Sequence, residues 1–247
     1  MPRFFIDSDL TQAGSISLNR EESRHAVSVM RLKEGDPIEL FDGRGHAAAA
    51  RVKGIKNGRV SVLLTELKNE SRPAGVAVTL AACVIRPERM EMIIQKACEL
   101  GAAEIVPILS ERGIVRLSKE RWESKETRWR KVILESCKQC GQSRMPRLGR
   151  VRDFADFIRD LPSFDKIILP TLTVPAKRLV DALGTRRPGN ALVLIGPEGD
   201  FTKKEAASAM ALGACPVSLG PRVLRSETAA IYALSTLLFY YSEVLSS

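Results

Sequence analysis

The sequence predicts an α/β protein whose main body is a parallel sheet flanked by helices, preceded by a small β-rich unit in residues 1–70. Three features of the 247-residue chain carry this expectation. Short apolar runs in the first 70 residues are separated by Gly35-Asp36, Asp42-Gly43 and Asn57-Gly58, the punctuation of hairpins. Residues 76–85 then form a near-continuous apolar run, as in a strand covered on both faces. Beyond it, strand-like and helix-like segments alternate, the pattern of parallel strands joined by crossover helices.

In the first unit, residues 3–6, 37–41, 46–53 and 59–66 are expected strands. One helix interrupts them. Asn19 can cap it, Glu22 completes a capping-box pattern, and His25, Val29 and Leu32 fall on one face. Closing the strands into a barrel around this helix removes exposed sheet edges. The polar stretch 68–75 (KNESRPAG) reads as a linker, leaving 75–247 as the larger domain. There, strands are expected at 76–85, 104–109, 165–169, 191–195 and 216–219. Pro87 starts a helix that turns Met90, Ile93, Ile94, Ala97 and Leu100 inward and stops at Gly101. Further helices are expected at 118–140, 175–183, 203–212 and 227–241.

Composition narrows the function classes. The N-terminus lacks the apolar core of a secretory signal, and the longest apolar run, 228–241, is too short to span a membrane, so a cytoplasmic location is expected. Of five cysteines, Cys137 and Cys140 form a lone C-x-x-C without a second ligand pair, which favours two helix-face thiols over a metal or redox site. No metal is expected. The net charge is +9. Residues 112–152 hold thirteen Lys or Arg against four Glu, a surplus that equals the charge of the whole chain. A solvated helix face with pairs such as Glu126 and Arg130 is one reading of this segment. Four acids cannot pair thirteen bases, however, and a polyanion such as RNA fits the surplus better.

Two strand-to-helix junctions stand out for chemistry. In the first, a buried strand ends at Leu194-Ile195 and passes through Gly196-Pro197-Glu198-Gly199, after which Thr202 and Glu205 restart the chain as a capped helix. The second runs Leu219-Gly220-Pro221-Arg222-Val223-Leu224-Arg225 into an apolar helix beginning near Ser226. Ligands of open parallel sheets bind at such strand ends. Neither junction is a phosphate cradle, since G-x-x-x-x-G-K-[ST] and G-x-G-x-x-G are both missing. No Ser-His-Asp set can be assembled either.

Six motifs in order carry a resemblance. They are His25-x5-Arg31-x3-Gly35-Asp36; Gln95-Lys96-Ala97-Cys98-Glu99-Leu100-Gly101; Ser110-Glu111-Arg112; and Glu135 with Cys140-Gly141-Gln142-Ser143-Arg144-x-Pro146. The last two are Ile195-Gly196-Pro197-Glu198-Gly199 and Leu219-Gly220-x-Arg222-Val223-Leu224-Arg225-x-Glu227-Thr228-Ala229. With them the chain resembles the SPOUT-class RNA methyltransferases, and within that class the RsmE-type enzymes that methylate N3 of a uridine in 16S ribosomal RNA. One departure is visible: Asp200 stands where the family usually has a second glycine after Gly199. Aspartate tolerates left-handed backbone better than most residues.

The resemblance implies a trefoil knot at the C-terminal end of the α/β domain, a PUA-like N-terminal barrel and a homodimer. It implies an S-adenosylmethionine site formed by Leu194, Ile195, Gly196, Pro197, Glu198 and Gly199 with Leu219, Gly220, Val223, Leu224, Glu227, Thr228 and Ala229, completed by Pro170, Thr171 and Leu172. Methylation of an imide nitrogen requires loss of its proton, and Glu198 as base with Arg225 as electrostatic stabiliser are the candidates. Arg3, Arg24, Arg31, Arg112 and Arg144 are candidate RNA contacts, with His25 read as a packed histidine of the helix. Two other readings stay open: a SPOUT enzyme acting on transfer RNA or a ribose hydroxyl, and a non-catalytic ribosome-assembly factor.

Overall fold

The first residues of the chain already show how the pattern becomes structure: Arg3–Phe5 (β1) buries Phe4 completely and pairs in parallel with Pro37–Phe41 (β3). A computed structural model of the chain describes residues 1–12, 15–69, 75–113, 115 and 118–245. Contacts divide it into two compact units, Met1–Pro73 with Leu134–Met145, and Ala74–Ile133 with Pro146–Ser247. Of the expected linker, residues 70–74 lie outside the described residues.

In the first unit, β1 is followed by Ser15–Ser17 (β2), Arg20–Arg24 (α1), β3, His46–Lys56 (β4) and Arg59–Asn69 (β5). The sheet order is β1-β3-β4-β5-β2. β4 and β5 form a long antiparallel hairpin around Asn57-Gly58, where both residues take positive φ, as the turn requires. Register shifts at Ala49/Ala50 and Val52/Gly54 bend this ribbon, so the sheet curls around its apolar face. Pairing among the described residues is an open path with β1 and β2 at its edges, where the sequence suggested a closed barrel. The three-residue β2 was not expected at all, because Ser-Ile-Ser carries too little apolar pattern to announce a strand.

The helix of this unit departs further from expectation. Asn19 Oδ1 accepts the Glu22 N–H at 2.8 Å, so the N-terminal cap is as read. After Arg24 the chain widens into a π-type turn, His25–Val29, which rotates the expected face. Ala26 is fully buried, while His25 and Val29 are exposed, and the His25 ring meets Phe4 edge-on at 6.1 Å. His25 is therefore a surface histidine leaning on the core and not part of it.

Glu22 and Lys138 form an ion pair at 2.6 Å with both side chains largely buried. Burial raises the Glu22 carboxyl above its usual value and outweighs Lys138. For Lys138 burial acts the other way, but Glu22 and Glu135 overcome it and the ammonium pKa is raised. The lysine thus stays charged through neutral and acidic pH, and its contribution is lost on the alkaline side as pH rises past its ordinary value. Lys138→Met should destabilise the protein by about 3–5 kcal/mol at pH 7, because it strands a buried carboxylate. The deficit should shrink on acidification as Glu22 takes up a proton. Urea melts of both proteins at pH 7 and pH 5 check this, and a deficit that grows on acidification would contradict it.

The second unit contains Ala77–Cys83 (β6), Pro87–Glu99 (α2), Glu104–Leu109 (β7), most of Lys119–Cys140 (α3), Arg147–Leu148 (β8), Arg152–Asp153 (β9) and Phe154–Arg159 (α4). It continues with Lys166–Pro170 (β10), Lys177–Arg178 (β11), Leu179–Leu183 (α5), Asn190–Ile195 (β12), Lys203–Ala211 (α6), Ala214–Ser218 (β13) and Ser226–Phe239 (α7). All strand pairs are parallel, in the order β11-β13-β10-β12-β6-β7-β8, with β9 also on β7. Pro87 opens α2 at its first turn, Met90, Ile93, Ile94 and Ala97 are buried, and Gly101 ends it at φ +85°. The expected helix 175–183 shortens to α5, because its first residues pair as β11 with β13. Cys137 and Cys140 lie on α3, and neither is in a disulfide. No helix among the described residues is long and apolar enough to cross a membrane.

Candidate active site

In β10, β12 and β13 the registers run parallel, pairing Ile168 with Val193 and Pro170 with Val217, so the loops that follow leave from one edge of the sheet. They enclose a cavity of about 570 Å³, counting its open mouth. Pro170, Thr171 and Leu172 line it from the end of β10 onward; Ile195, Gly196, Pro197 and Glu198 from the end of β12; Leu219, Gly220, Val223 and Leu224 after β13; and Ala229 on α7. Asp200, Val217, Arg222 and Ser226 also line it and were not among the residues expected to form the donor site. Leu194, Gly199, Glu227 and Thr228 do not. Leu194 is fully buried inside β12, Gly199 carries Arg112 on its carbonyl at 2.7 Å, Glu227 is buried towards Arg89, and Thr228 is exposed.

Backbone conformation shapes this cavity at two glycines. Gly220 sits at φ +117°, where a side chain would be strained. A Cβ on Gly196 would come within 3.1 Å of the Asp200 carboxylate and the Phe201 nitrogen. At the mouth, Leu172 and Val223 stand 66% and 76% exposed.

Asp200 itself adopts φ +58°. Its Oδ2 accepts from Thr171 Oγ1 at 2.8 Å, Leu172 N at 2.6 Å and Thr173 Oγ1 at 2.9 Å, and its Oδ1 from Phe201 N at 2.7 Å. Thr202 and Glu205 form the expected capping box of α6, and Glu205 Oε1 also accepts the Glu111 N–H at 2.8 Å. Beneath the loop, Phe201 is fully buried against Phe154. Burial pushes the nearby Cys83 thiol up to about 12, which leaves it a protonated packing group.

Of the two catalytic candidates, Glu198 lines the cavity with its side chain one-third exposed, and Arg89 Nη1 donates to its Oε1 at 3.1 Å. Arg89 also lies 3.6 Å from Glu227 Oε1, so one guanidinium joins the glutamates of both junctions. The sequence reading missed Arg89, because no local spacing ties a residue in the first turn of α2 to partners more than a hundred positions away. Arg225 is exposed at the start of α7 without a side-chain cap, outside the cavity lining. Glu227, two residues further on, pairs with Arg89.

The RNA candidates divide. Arg3 is not available: its side chain is 6% exposed, pairs with Glu39 at 3.1 Å, donates to the Cys137 carbonyl and to Ser143, and lies over the Phe41 ring at 4.5 Å. It holds the first unit together, so it is withdrawn as a nucleic-acid contact. Arg24, Arg31, Arg112 and Arg144 are exposed. Arg31 takes φ +54°, and the Arg144 guanidinium rests against Gly45, where a Cβ would lie 2.6 Å from it.

Comparison with known proteins agrees with this architecture. The RNA methyltransferase domain family matches residues 72–238, and the RNA methyltransferase PUA domain family matches residues 18–65. Ribosomal RNA small subunit methyltransferase E of Bacillus subtilis is 31% identical, over 99% of this chain and 98% of its own length. The protein of the same name from Buchnera aphidicola (Schizaphis graminum) is 26% identical over 99% of this chain and 98% of that one. Among solved structures, ribosomal RNA small subunit methyltransferase E from Neisseria gonorrhoeae, bound to S-adenosyl methionine, superposes with a TM-score of 0.88 at 30% identity, covering 97% of each chain. With a parallel α/β unit, a PUA-type unit with a curled sheet and a full-length relative at 31% identity, this chain belongs to the ribosomal RNA small subunit methyltransferase E family of RNA methyltransferases.

Proposed function

We propose that the protein transfers a methyl group from S-adenosylmethionine to N3 of a uridine in 16S ribosomal RNA of the small subunit, and that the cavity at the ends of β10, β12 and β13 is the donor site. The observation that carries the reading is the convergence of three strand-end loops on one apolar cavity with a carboxylate at its side. Its apolar lining residues suit the flat, uncharged face of an adenosine. Pro170, Thr171, Leu172, Ile195, Gly196, Leu219, Gly220, Val223, Leu224 and Ala229 would hold the donor. Leu172 and Val223 would lose their exposure to it.

When bound, the donor supplies an electrophilic methyl carbon. The chain's own part is alignment, exclusion of water and handling of one proton. Glu198 takes the N3 proton, Arg89 keeps that carboxylate turned to the cavity, and the exposed charge of Arg225 favours the uridine anion as it forms. In this reading residues 1–70 bind RNA through Arg24 and Arg31, residues 75–247 carry the knotted methyltransferase domain, and Arg112 and Arg144 lie nearer the target nucleotide. The proposal extends to a homodimer, a C-terminal trefoil knot and a cytoplasmic location, all implied by the resemblance.

Radiolabelled methyl donor with small subunits from cells lacking this activity tests the assignment. Label mapped to a uridine N3 of 16S RNA is the expected result, and label on transfer RNA alone would overturn it.

A further inference from the structure

We infer that Asp200 is a positioning residue for the methyl-donor pocket, latching the loop after β10 onto the loop after β12. This rests on the cavity being the donor site. One carboxylate takes Thr171 Oγ1, Leu172 N and Phe201 N at 2.8, 2.6 and 2.7 Å. Thr173 Oγ1 lies 2.9 Å from both Asp200 Oδ2 and the Phe201 carbonyl and donates to one of them at a time. Thr171 Oγ1 in turn accepts the Thr173 N–H at 3.0 Å, which closes the network on itself.

Three members of this network, Thr171, Leu172 and Asp200, line the cavity. Two walls from strands adjacent in the sheet but distant in sequence are thereby fixed to each other. A glycine at this position has no atom that can make these bonds. The position demands a residue tolerant of φ +58°, and aspartate satisfies that while adding the acceptors. Bonds from N–H and O–H donors to an ionised carboxylate are stronger than neutral ones. A wall fixed before the ligand arrives loses less freedom on binding, so the latch acts on donor affinity. The methyl-transfer step itself is left alone.

Calorimetry with S-adenosylmethionine, steady-state kinetics on small subunits and melting curves together test this. Asp200→Gly should raise donor Kd and KM by about tenfold, while kcat at saturating donor stays within about threefold. Asp200→Asn, which tolerates the same backbone but keeps half of the acceptors, should recover part of the loss. If Asp200→Gly fails to fold, the double variant Thr171→Val, Thr173→Val decides, with a Kd shift in the same direction. Donor affinity within about twofold of wild type in Asp200→Gly, or in the double variant when it decides, would overturn the latch. Ala229→Trp, which fills the cavity from α7, separates this failure from a deeper one. Loss of donor binding in Ala229→Trp with intact binding in the Asp200 variants removes the latch alone. Intact binding in all of them removes the cavity as donor site, and the latch with it.

Discussion

Glu198→Gln should lower turnover on small subunits by about 10²-fold or more at saturating donor, with donor affinity within about threefold of the wild type. The amide matches the carboxylate in size and still offers Arg89 an oxygen at the position of the 3.1 Å bond, so the loop has no reason to move. What it lacks is a lone pair basic enough to hold the imide proton through the transition state. Because the Glu198 side chain is one-third exposed, the substitution costs little buried contact, and the melting temperature should hold. Single-turnover kinetics with labelled donor, alongside calorimetry, reads the two quantities separately. Near-normal turnover at saturating donor would remove Glu198 from the mechanism and leave alignment and Arg225 to account for the rate.

A comparably large effect, on stability, is expected at Phe201. Its ring is fully buried, 5.0 Å from that of Phe154, in a core cluster that also holds Leu169, Leu192 and Ala206. Phe201→Ala should destabilise the protein by about 3–5 kcal/mol, the usual range for emptying such a site. For a chain of this size that lowers the melting temperature by roughly 6–20 °C. The consequence should reach the cavity as well. Phe201 gives its N–H to Asp200 and has its carbonyl within reach of Thr173, so the loop loses its anchor when the ring goes. Donor-dependent stabilisation should fall along with the melting point, while Phe201→Leu keeps most of both. Thermal melts with and without S-adenosylmethionine check this. A loss below about 1 kcal/mol would mean that the site collapses around the gap.

How much of this was legible beforehand depended on the range over which each signal acts. α2 was readable because its opening Pro87, its inward face and its stop at Gly101 all lie within fifteen positions of one another. The Thr202–Glu205 capping box was readable for the same reason. The face of the His25 helix was misjudged because a π-type turn changes the angular step between residues, and residue type alone does not reveal that. Arg3 shows the opposite failure. A basic residue near the N-terminus looks available, and only the positions of Glu39, Phe41, Cys137 and Ser143 show that it is fully engaged.

The sequence by itself determined the kind of protein this is: parallel strands from their unbroken apolar runs, glycine-bearing turns at two strand ends, and a run of motifs tying both to one family. These are local patterns, set by the steric preferences of a few neighbouring residues. Only the tertiary structure decided which residues meet. Sheet order brings the end of β10 beside those of β12 and β13, and with them Asp200 to Thr171 and Arg89 to Glu198 and Glu227. Hydrogen bonds and ion pairs act over about 3 Å whatever the separation along the chain, so partners a hundred residues apart leave no periodic trace for a reader of one sequence.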